Sequence, residues 1–519
     1  MIRVLNHSRR EVFRDFAVFS LDSLSFLLNT FYYILSGMSL SKIIAQKPTR
    51  LTVVIMGITG DLAQAKLVPA LYGLYRAGEL PKTFSLIGFS RKEYSEAQFA
   101  ELVRNAVVKK FPNEPAEKVS QFVKSAWYYQ GQFDDTASYR TLADRINFAQ
   151  IGDVSAVTLI NLSVPPALYP TILKQYQLAG FSAKSTPISG TVRFMIEKPF
   201  GANVGTAKDL YRTATAVRED ADLFLIDHYL GKEALQNIVA FRFANSLFES
   251  LWNHTHIERI ECRLLEKTDV STRGAFYDGV GALSDVVQNH VLQMLAHIVM
   301  DEPKKTTAKA VREARAKALG ALSLALGNRR ADTHGKQMVR AQYEGYLATP
   351  GVASLSTTET FVRVIAKMDS GRFKNVPLIL EAGKAVAESV VDIKLYFKTE
   401  DQKFCVIDES GESYCQNVLT FRIQPNEGIS TVFWVKRPGF THDVLPKKLA
   451  FNYSEDTTHP IRDAYERIYF DAILGDQTRF VSIKEVLASW QFVEKARAEL
   501  SKLPIVVYKK GSSAEGVGC

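Results

Sequence analysis

The stretch Leu51-Thr-Val-Val-Ile-Met-Gly57-Ile-Thr-Gly60-Asp61-Leu62-Ala63 decides the fold class of this chain. It opens with a continuous apolar run, which is typical of a buried parallel strand. A glycine turn follows directly, and a helical pattern continues beyond Ala63. Strand, glycine turn and helix in this order place backbone N–H groups and the positive end of a helix against a pyrophosphate. The sequence therefore predicts an α/β, Rossmann-like dinucleotide-binding domain.

A basic turn follows the next predicted strand, Phe84-Ser-Leu-Ile-Gly-Phe89, at Ser90-Arg91-Lys92. At this place in a dinucleotide-binding domain an acidic residue binds the ribose 2′-hydroxyl of NAD, whereas an arginine binds the 2′-phosphate of NADP. We therefore expect Arg91 to favour NADP. The alternative is an exposed basic turn without a ligand.

Two further predicted strands end in turns that contain proline. Val157-Thr-Leu-Ile-Asn-Leu-Ser163 leads into Val164-Pro-Pro166, and Phe194-Met-Ile196 leads into Glu197-Lys198-Pro-Phe-Gly201. Because open parallel sheets bind ligands at the carboxyl ends of their strands, both turns are expected where cofactor and substrate meet.

Two clusters of polar residues lie further along the chain, Asp227-His-Tyr-Leu-Gly-Lys-Glu233 and Asp285-Val-Val-Gln-Asn-His290. Together they supply a histidine base and a carboxylate that can stabilise its imidazolium form. His228, Tyr229 and Lys232 add three donors within five residues, a grouping suited to a phosphate dianion. An apolar run follows His290, so this histidine is expected in a helix packed against a sheet.

These peptides resemble glucose-6-phosphate dehydrogenases, whose signatures include D-H-Y-L-G-K-E, D-x-x-Q-N-H, G-x-x-G-D-L-A and E-K-P-F-G. The resemblance covers about residues 51–500. It implies oxidation of glucose 6-phosphate to 6-phosphoglucono-1,5-lactone with hydride transfer to NADP, without a metal. Alternatives are an NADP or sugar-phosphate sensor with impaired catalysis, and a related dehydrogenase that acts on another sugar phosphate.

The resemblance also assigns roles to individual residues. It makes His290 the base and Asp227 its partner. It implies substrate contacts from Lys198, His228, Tyr229, Lys232, Glu266, Asp285, Lys384 and Gln424. It implies cofactor contacts from Gly57, Gly60, Asp61, Leu62, Arg91 and Lys198.

Four positions depart from the pattern of this family, which usually or often has a cation at each of them. The residues present here are Leu225, Ser284, Glu381 and Ser389. In that family, the peptides of Leu225, Glu381 and Ser389 border the substrate pocket. We therefore expect the phosphate to be bound more weakly than in a site with the extra arginines. Glu381 weakens binding further if its carboxylate faces the phosphate, and has no such effect if it pairs with a lysine.

Composition agrees with a large enzyme of more than one domain. The chain has 519 residues, 46% hydrophobic and 23% charged, and a formal charge of +9. No basic run with interleaved aromatic residues indicates nucleic-acid binding. The four cysteines lack metal-ligand spacing and indicate a reducing compartment, which we take to be the cytoplasm. The resemblance implies a homodimer or homotetramer.

The first 48 residues stand apart as an extension that the family lacks. Three arginines precede an uncharged run over residues 23–40, as in a signal peptide or membrane anchor. The run also contains four serines. We therefore favour an extension that is not part of the fold, with Met38 as the start, and expect no membrane association.

The remaining chain is divided by prediction into three parts. Residues 49–226 form the NADP-binding Rossmann-like domain, and residues 227–505 form a larger α+β domain for substrate binding and oligomerisation, with a mostly antiparallel sheet. A helix is predicted over about residues 306–327, followed by long alternating strands. Residues 506–519 are expected to be a flexible tail.

Overall fold

The structure, a computed structural model, describes residues 47–150, 152–325, 337–399, 415–440, 444–455 and 461–518. Within these ranges, no helix has both the length and the apolar character that a membrane span requires. The predicted extension lies outside the described residues up to residue 46. Met38 and the uncharged run 23–40 are part of that segment.

A six-stranded parallel sheet forms the first layer of the fold, as predicted. Its order among the described residues is β3-β2-β1-β4-β5-β6. The strands are β1 (Arg50–Met56), β2 (Thr83–Ser90), β3 (Ala126–Gln130), β4 (Val157–Leu162), β5 (Thr191–Glu197) and β6 (Leu223–Ile226). Because β1 pairs with both β2 and β4, the strand order reverses between β1 and β4, and this reversal opens a crevice at their carboxyl ends.

Helices cover both faces of this sheet. They are α1 (Val68–Arg76), α2 (Glu96–Lys110), α3 (Ala116–Lys124), α4 (Thr136–Gln150), α5 (Tyr169–Leu178) and α6 (Val204–Val217). Alternate residues of β1 enter different cores, since Val54 belongs to one apolar cluster and Val53 to another. Burial on both faces explains why β1 is continuously apolar.

A ten-stranded sheet forms the second domain among the described residues. Its main order is β15-β14-β13-β12-β7-β11-β10-β9-β16, and β8 pairs with β10. The strands are β7 (Ile257–Leu265), β8 (Leu322–Leu324), β9 (Val339–Tyr343), β10 (Phe361–Met368), β11 (Leu378–Gly383), β12 (Val390–Phe397), β13 (Val418–Gln424), β14 (Gly428–Lys436), β15 (Val444–Asn452) and β16 (Ile505–Tyr508). Most pairs are antiparallel, as predicted, while β7 with β11 and β9 with β16 are parallel.

The helices of the second half include one that is shorter than predicted. They are α7 (Glu233–Ala244), α8 (Ser246–Glu249), α9 (Gly274–Tyr277), α10 (Leu292–Val299), α11 (Ala308–Gly320), α12 (Ala464–Leu474) and α13 (Ile483–Leu500). A π-helix, Leu283–Val291, precedes α10 and carries His290. The helix predicted over residues 306–327 ends at Gly320, because the chain then forms β8 and pairs with β10.

Helix α12 packs on the first sheet although strands β7 to β15 of the second sheet precede it in the chain. Tyr465, Ile468 and Tyr469 share an apolar cluster with Val53 of β1 and with α1 to α3. The predicted division at residues 226 and 227 therefore separates strands of the two sheets but not the packing of their helices.

The flexible tail predicted for residues 506–519 needs correction. Residues Ile505–Tyr508 form β16 at the edge of the second sheet, in parallel register with β9. Beyond this strand, Ala514 and Val517 are buried in the apolar cluster that contains Tyr343 and Tyr346. The small residues of this segment pack closely on the sheet, and their composition gave no sign of it.

Candidate active site

The site forms at the carboxyl edge of the first sheet, where the π-helix approaches. Lys198 directly follows β5, and Asp227 directly follows β6. Neighbouring parallel strands end at the same edge, so these two side chains come from adjacent turns. His290 enters from the π-helix, a geometry that is rare and often found at functional sites.

Asp227 and His290 form a buried pair. Their side chains are 1% and 5% exposed, and Asp227 Oδ1 lies 2.5 Å from His290 Nδ1. The same oxygen accepts a hydrogen bond from the backbone N–H of Tyr229 at 3.0 Å. Asp227 therefore fixes the orientation of the imidazole and leaves Nε2 as the ring nitrogen that can accept a proton.

The electrostatics of this pair suit a base at neutral pH. Burial would raise the pKa of Asp227, but the charge and hydrogen bond of His290 outweigh it and bring the pKa to about 2. Burial lowers the pKa of His290, and the neighbouring Asp227 opposes this effect without cancelling it. Asp227 is thus ionised and His290 neutral, which is the state that proton abstraction requires.

The proposed phosphate donors lie directly beside this pair. The ring of Tyr229 is 4.2 Å from that of His290, and the ring of His228 is 4.8 Å away. Burial and the nearby His290 lower the pKa of His228 well below its usual range. Of the substrate trio His228, Tyr229 and Lys232, His228 therefore offers a neutral donor and Lys232 carries the positive charge.

Two lysines of the site are held by the carboxylates expected to bind sugar hydroxyls. Lys198 Nζ lies 3.1 Å from Asp285 Oδ1, and Lys384 pairs with Glu266. Burial would raise the pKa of Asp285, but Lys198 outweighs it and the pKa is lowered. The four residues form two ion pairs, and Lys384 of one pair also lowers the pKa of Asp285 in the other.

Gln424 is a predicted substrate residue, and its role stays a prediction. It is exposed at the end of β13, where it pairs with Val391. In the turn that follows, Asn426 has a φ of 56°, and Glu427 Oε1 lies 4.0 Å from Lys232 Nζ.

The four departures from the family pattern do not lie free beside the substrate trio. Leu225 is buried in an apolar cluster, and Ser284 accepts a hydrogen bond from Arg497 at 2.6 Å. Ser389 accepts from the backbone N–H of Lys267. Glu381 is buried and its Oε1 lies 2.5 Å from Arg363 Nε. The charge of Glu381 therefore neutralises a buried arginine instead of facing the substrate.

The crevice between β1 and β4 fits a dinucleotide. Gly57 has a φ of 86°, and a Cβ atom there would lie 2.4 Å from the carbonyl oxygen of Ser163 at the end of β4. Such an atom would fill the turn, so glycine is required. Gly60 donates its N–H to the carbonyl of Gly57 at 2.9 Å and closes the turn. A helix begins at Asp61 and Leu62 and continues through the π-helical turn Ala63–Leu67 into α1.

Arg91 lies at the rim of the same crevice. It follows β2, whose last residues are in register with the end of β1. Its guanidinium is exposed and lies 5.5 Å from the centre of the Phe133 ring. No carboxylate of the described residues forms an ion pair with it, so its charge is available to an anionic ligand.

The sequence analysis did not predict a polar layer, formed by Glu197 and Tyr465, behind the dyad of Asp227 and His290. The carboxyl of Glu197 is buried, and the hydroxyl of Tyr465 lies 3.2 Å from it. Burial raises the pKa of Glu197 to about 8, against the effect of Tyr465 and Lys198. The ring of Tyr465 stacks on that of His228 with centres 6.0 Å apart. Glu197 lies in a peptide already singled out, but its separation of 268 residues from Tyr465 hides the contact.

Asp227, His228 and His290 also offer ligand atoms within 4.8 Å of one another, a spacing that a metal ion can use. Our prediction of a reaction without metal stays a prediction. The glycine-lined crevice, the buried base His290 and the two paired lysines instead agree with the transfer of a hydride to a dinucleotide. Fold and site together define an oxidoreductase that acts on a CH–OH group and uses a nicotinamide dinucleotide.

Comparisons with known proteins agree with this class. The family model "Glucose-6-phosphate dehydrogenase, NAD binding domain" matches residues 54–237, and the corresponding C-terminal domain model matches residues 239–516. The chain belongs to the glucose-6-phosphate dehydrogenase family.

Individual relatives are similar over most of their length. Glucose-6-phosphate 1-dehydrogenase of Aggregatibacter actinomycetemcomitans is 35% identical over 472 residues, 88% of this chain and 90% of that protein. Glucose-6-phosphate 1-dehydrogenase 2 of Mycobacterium tuberculosis is 33% identical over 456 residues, 85% of this chain and 87% of that protein. A solved glucose-6-phosphate dehydrogenase in complex with its substrate glucose-6-phosphate is 29% identical with a TM-score of 0.82, over 91% of this chain and 96% of that one.

Proposed function

We propose that this protein oxidises C1 of glucose 6-phosphate to 6-phosphoglucono-1,5-lactone, with NADP as hydride acceptor. This is the first step of the oxidative pentose phosphate route. The observation that carries the proposal is the buried pair of His290 and Asp227, 2.5 Å apart at the edge of a dinucleotide-binding sheet. A neutral imidazole held by an ionised carboxylate is what a hemiacetal hydroxyl needs in order to lose its proton.

In this mechanism His290 takes the proton of the C1 hydroxyl on Nε2, because Nδ1 is held by Asp227. The imidazolium that forms is stabilised by the Asp227 carboxylate, as in other histidine–aspartate pairs. Asp227 needs no proton of its own, and its low pKa keeps it charged throughout. The bound nicotinamide supplies the hydride acceptor.

Substrate binding is assigned to the residues around the dyad. The 6-phosphate is placed at His228, Tyr229 and Lys232, and the approaching dianion raises the pKa of His228 so that its ring can add positive charge. Lys198, Asp285, Glu266 and Lys384 are assigned to the sugar. The two ion pairs that join these four residues supply lysine and carboxylate groups, whose hydrogen-bonding capacity suits a polyhydroxylated ring better than an apolar ligand.

Cofactor binding is assigned to the crevice between β1 and β4. The tight turn at Gly57 and Gly60, with the helix that begins at Asp61 and Leu62, would hold the pyrophosphate. Arg91 would bind the 2′-phosphate of NADP, and its exposed, unpaired guanidinium supports this choice over NAD. Lys198 lies between this crevice and the sugar and is assigned to both ligands.

The proposal is tested by following the absorbance of NADPH with purified full-length protein and a panel of sugar phosphates. We expect turnover with glucose 6-phosphate and NADP, and slower turnover with NAD. Turnover that is faster with another hexose phosphate would identify a related dehydrogenase. Binding of NADP and glucose 6-phosphate without turnover would identify a sensor and overturn the proposal.

We also propose that the protein is a cytoplasmic homodimer or homotetramer. The outer strands β14 and β15 expose the large apolar residues Phe433, Val435, Leu449 and Phe451, which a second sheet would cover. Cys262 and Cys415 are free thiols, in agreement with a reducing compartment. Sedimentation of the purified protein, with Leu449→Glu as the variant that should dissociate it, tests the assembly.

A further inference from the structure

The end of the chain returns to the substrate site. After β16 it runs alongside the segment 384–387, which begins with the lysine assigned to the sugar. Three hydrogen bonds join the two segments: from Tyr508 Oη to the Lys384 carbonyl (2.6 Å), from the Gly511 N–H to the Ala385 carbonyl (2.8 Å), and from the Ala387 N–H to the Ser512 carbonyl (2.9 Å). The backbone of the lysine is therefore held by residues more than a hundred positions away.

The opposite side of the same segment is held by the peptide of Glu266. The N–H of Val386 donates to the carbonyl of Glu266 at 3.2 Å, and the N–H of Ala385 donates to the carbonyl of Thr268 at 3.0 Å. Ala385 has a φ of 54°, a left-handed conformation that is costly for alanine and persists where neighbours fix it. Chain end and Glu266 peptide thus enclose Lys384 from two sides.

Tyr508 is the residue of the chain end that touches Lys384 itself. It is 5% exposed, and its hydroxyl lies 2.9 Å from Thr360 Oγ1 as well as 2.6 Å from the Lys384 carbonyl. The N–H of Lys384 donates to the carbonyl of Thr360 at 2.9 Å. Tyr508 therefore closes a ring of hydrogen bonds around the peptide groups of one lysine.

The chain end is anchored independently of this contact. Arg363 Nη2 donates to the carbonyl of Ala514 at 3.0 Å, and Ala514 and Val517 are buried. The strand β16 is paired with β9 over Ile505–Tyr508. Removing one hydroxyl from Tyr508 leaves these anchors in place, so its effect on Lys384 can be separated from unfolding of the segment.

We propose that Tyr508 is a positioning residue that holds Lys384, together with Glu266, in the geometry that binds the sugar. The inference rests on the proposed substrate role of Lys384. It assigns to the C-terminal segment a part in substrate affinity, although no residue of that segment is assigned to the ligand. Substrate binding should therefore depend on Tyr508 through the lysine and not through cofactor binding or the chemical step.

Tyr508→Phe keeps the ring and removes the hydroxyl. We expect the KM for glucose 6-phosphate to rise about threefold to tenfold, the range for one lost hydrogen bond, with kcat and the KM for NADP unchanged. Amide exchange of the peptide that contains residues 384–387 should become faster in the substrate-free protein. Tyr346→Phe is the matched control, because Tyr346 lies in the same apolar cluster but donates to Asp278.

A double-mutant cycle with Lys384→Met separates this inference from the assignment on which it rests. If Tyr508 acts through the lysine, its hydroxyl has little effect on the KM for glucose 6-phosphate in the Lys384→Met background. Additive effects, or an unchanged KM in Tyr508→Phe while Lys384→Met raises it, would overturn the inference. An unchanged KM in Lys384→Met alone would overturn the role of the lysine itself. A rise in KM caused by Tyr508→Phe would then have to act through a residue other than Lys384.

Discussion

Lys198 Nζ contacts Asp285 twice, through the backbone carbonyl at 2.8 Å and through Oδ1 at 3.1 Å. One lysine at the end of β5 thereby fixes the first turn of the π-helix that carries His290. These bonds are internal to the protein and hold the lysine and the π-helix in one fixed arrangement. Preorganisation of this kind reduces the cost of binding and of charge rearrangement during the reaction.

We expect substitutions in the dyad of Asp227 and His290 to lower turnover strongly without weakening substrate binding. His290→Asn should lower kcat by roughly a hundredfold or more, because it removes the proton acceptor, with little change in the Kd for glucose 6-phosphate. Asp227→Asn should cost less, since it removes the group that stabilises the imidazolium. Steady-state rates and direct binding measurements check both. A His290→Asn variant with normal kcat, under conditions where chemistry limits the rate, would assign the base elsewhere.

The lowered pKa of His290 predicts where activity falls at acid pH. The deprotonated ring is the active form, so kcat/KM should rise with pH through the pKa of His290 and level off above it. Burial lowers that pKa, which places the acid limb below about pH 6.5, the ordinary value for histidine. Asp227 opposes the effect of burial, so Asp227→Asn should move the limb to still lower pH. A limb at pH 7 or above would contradict this.

Arg91 predicts selection between the two dinucleotides. Arg91→Ala should raise the KM for NADP about tenfold or more while leaving that for NAD nearly unchanged, because NAD lacks the 2′-phosphate that the guanidinium would bind. Lys92→Ala is the control at the neighbouring exposed position. Equal changes for both cofactors in Arg91→Ala would show that this residue does not read the phosphate.

Because Glu381 pairs with Arg363, we expect its substitution to lower the stability of the protein rather than to raise its affinity for the substrate. Glu381→Arg would leave Arg363 without its partner and place a second buried guanidinium beside it, which should lower the free energy of unfolding by about 3–5 kcal/mol. Glu388→Arg is the matched control at an exposed site, where about 1 kcal/mol or less is expected. Denaturant unfolding measures both. A stable Glu381→Arg variant with a lower KM for glucose 6-phosphate would place residue 381 at the substrate after all.

The sequence predicted those parts of the site that follow strands directly. Lys198 and Asp227 could be placed because each ends a short apolar run, and parallel strands end at one edge of a sheet. Tyr465, Glu427 and Tyr508 could not be placed on such grounds. Each reaches the site from a distant part of the chain, and no local pattern of hydrophobicity or charge encodes which helix or turn will return.

The prediction of a flexible tail over residues 506–519 was wrong for the same reason, because contacts with distant parts of the chain decide its structure. Small residues, a glycine-rich composition and the end of the chain all favoured flexibility over residues 506–519. The deciding interactions are backbone hydrogen bonds to segment 384–387 and two buried apolar side chains, Ala514 and Val517. Backbone pairing of this kind depends on the partner and leaves little trace in side-chain composition.

Helix α12 has a consequence for synthesis on the ribosome. The first sheet is complete once residue 226 has been made, yet one of its apolar faces receives Tyr465, Ile468 and Tyr469 from α12. At about 5–20 residues per second, translation brings these residues about 12–50 s later. During that interval, the apolar face of the first domain that α12 later covers stays exposed on the nascent chain. The amino-terminal half therefore completes its hydrophobic core only when the last tenth of the chain has emerged.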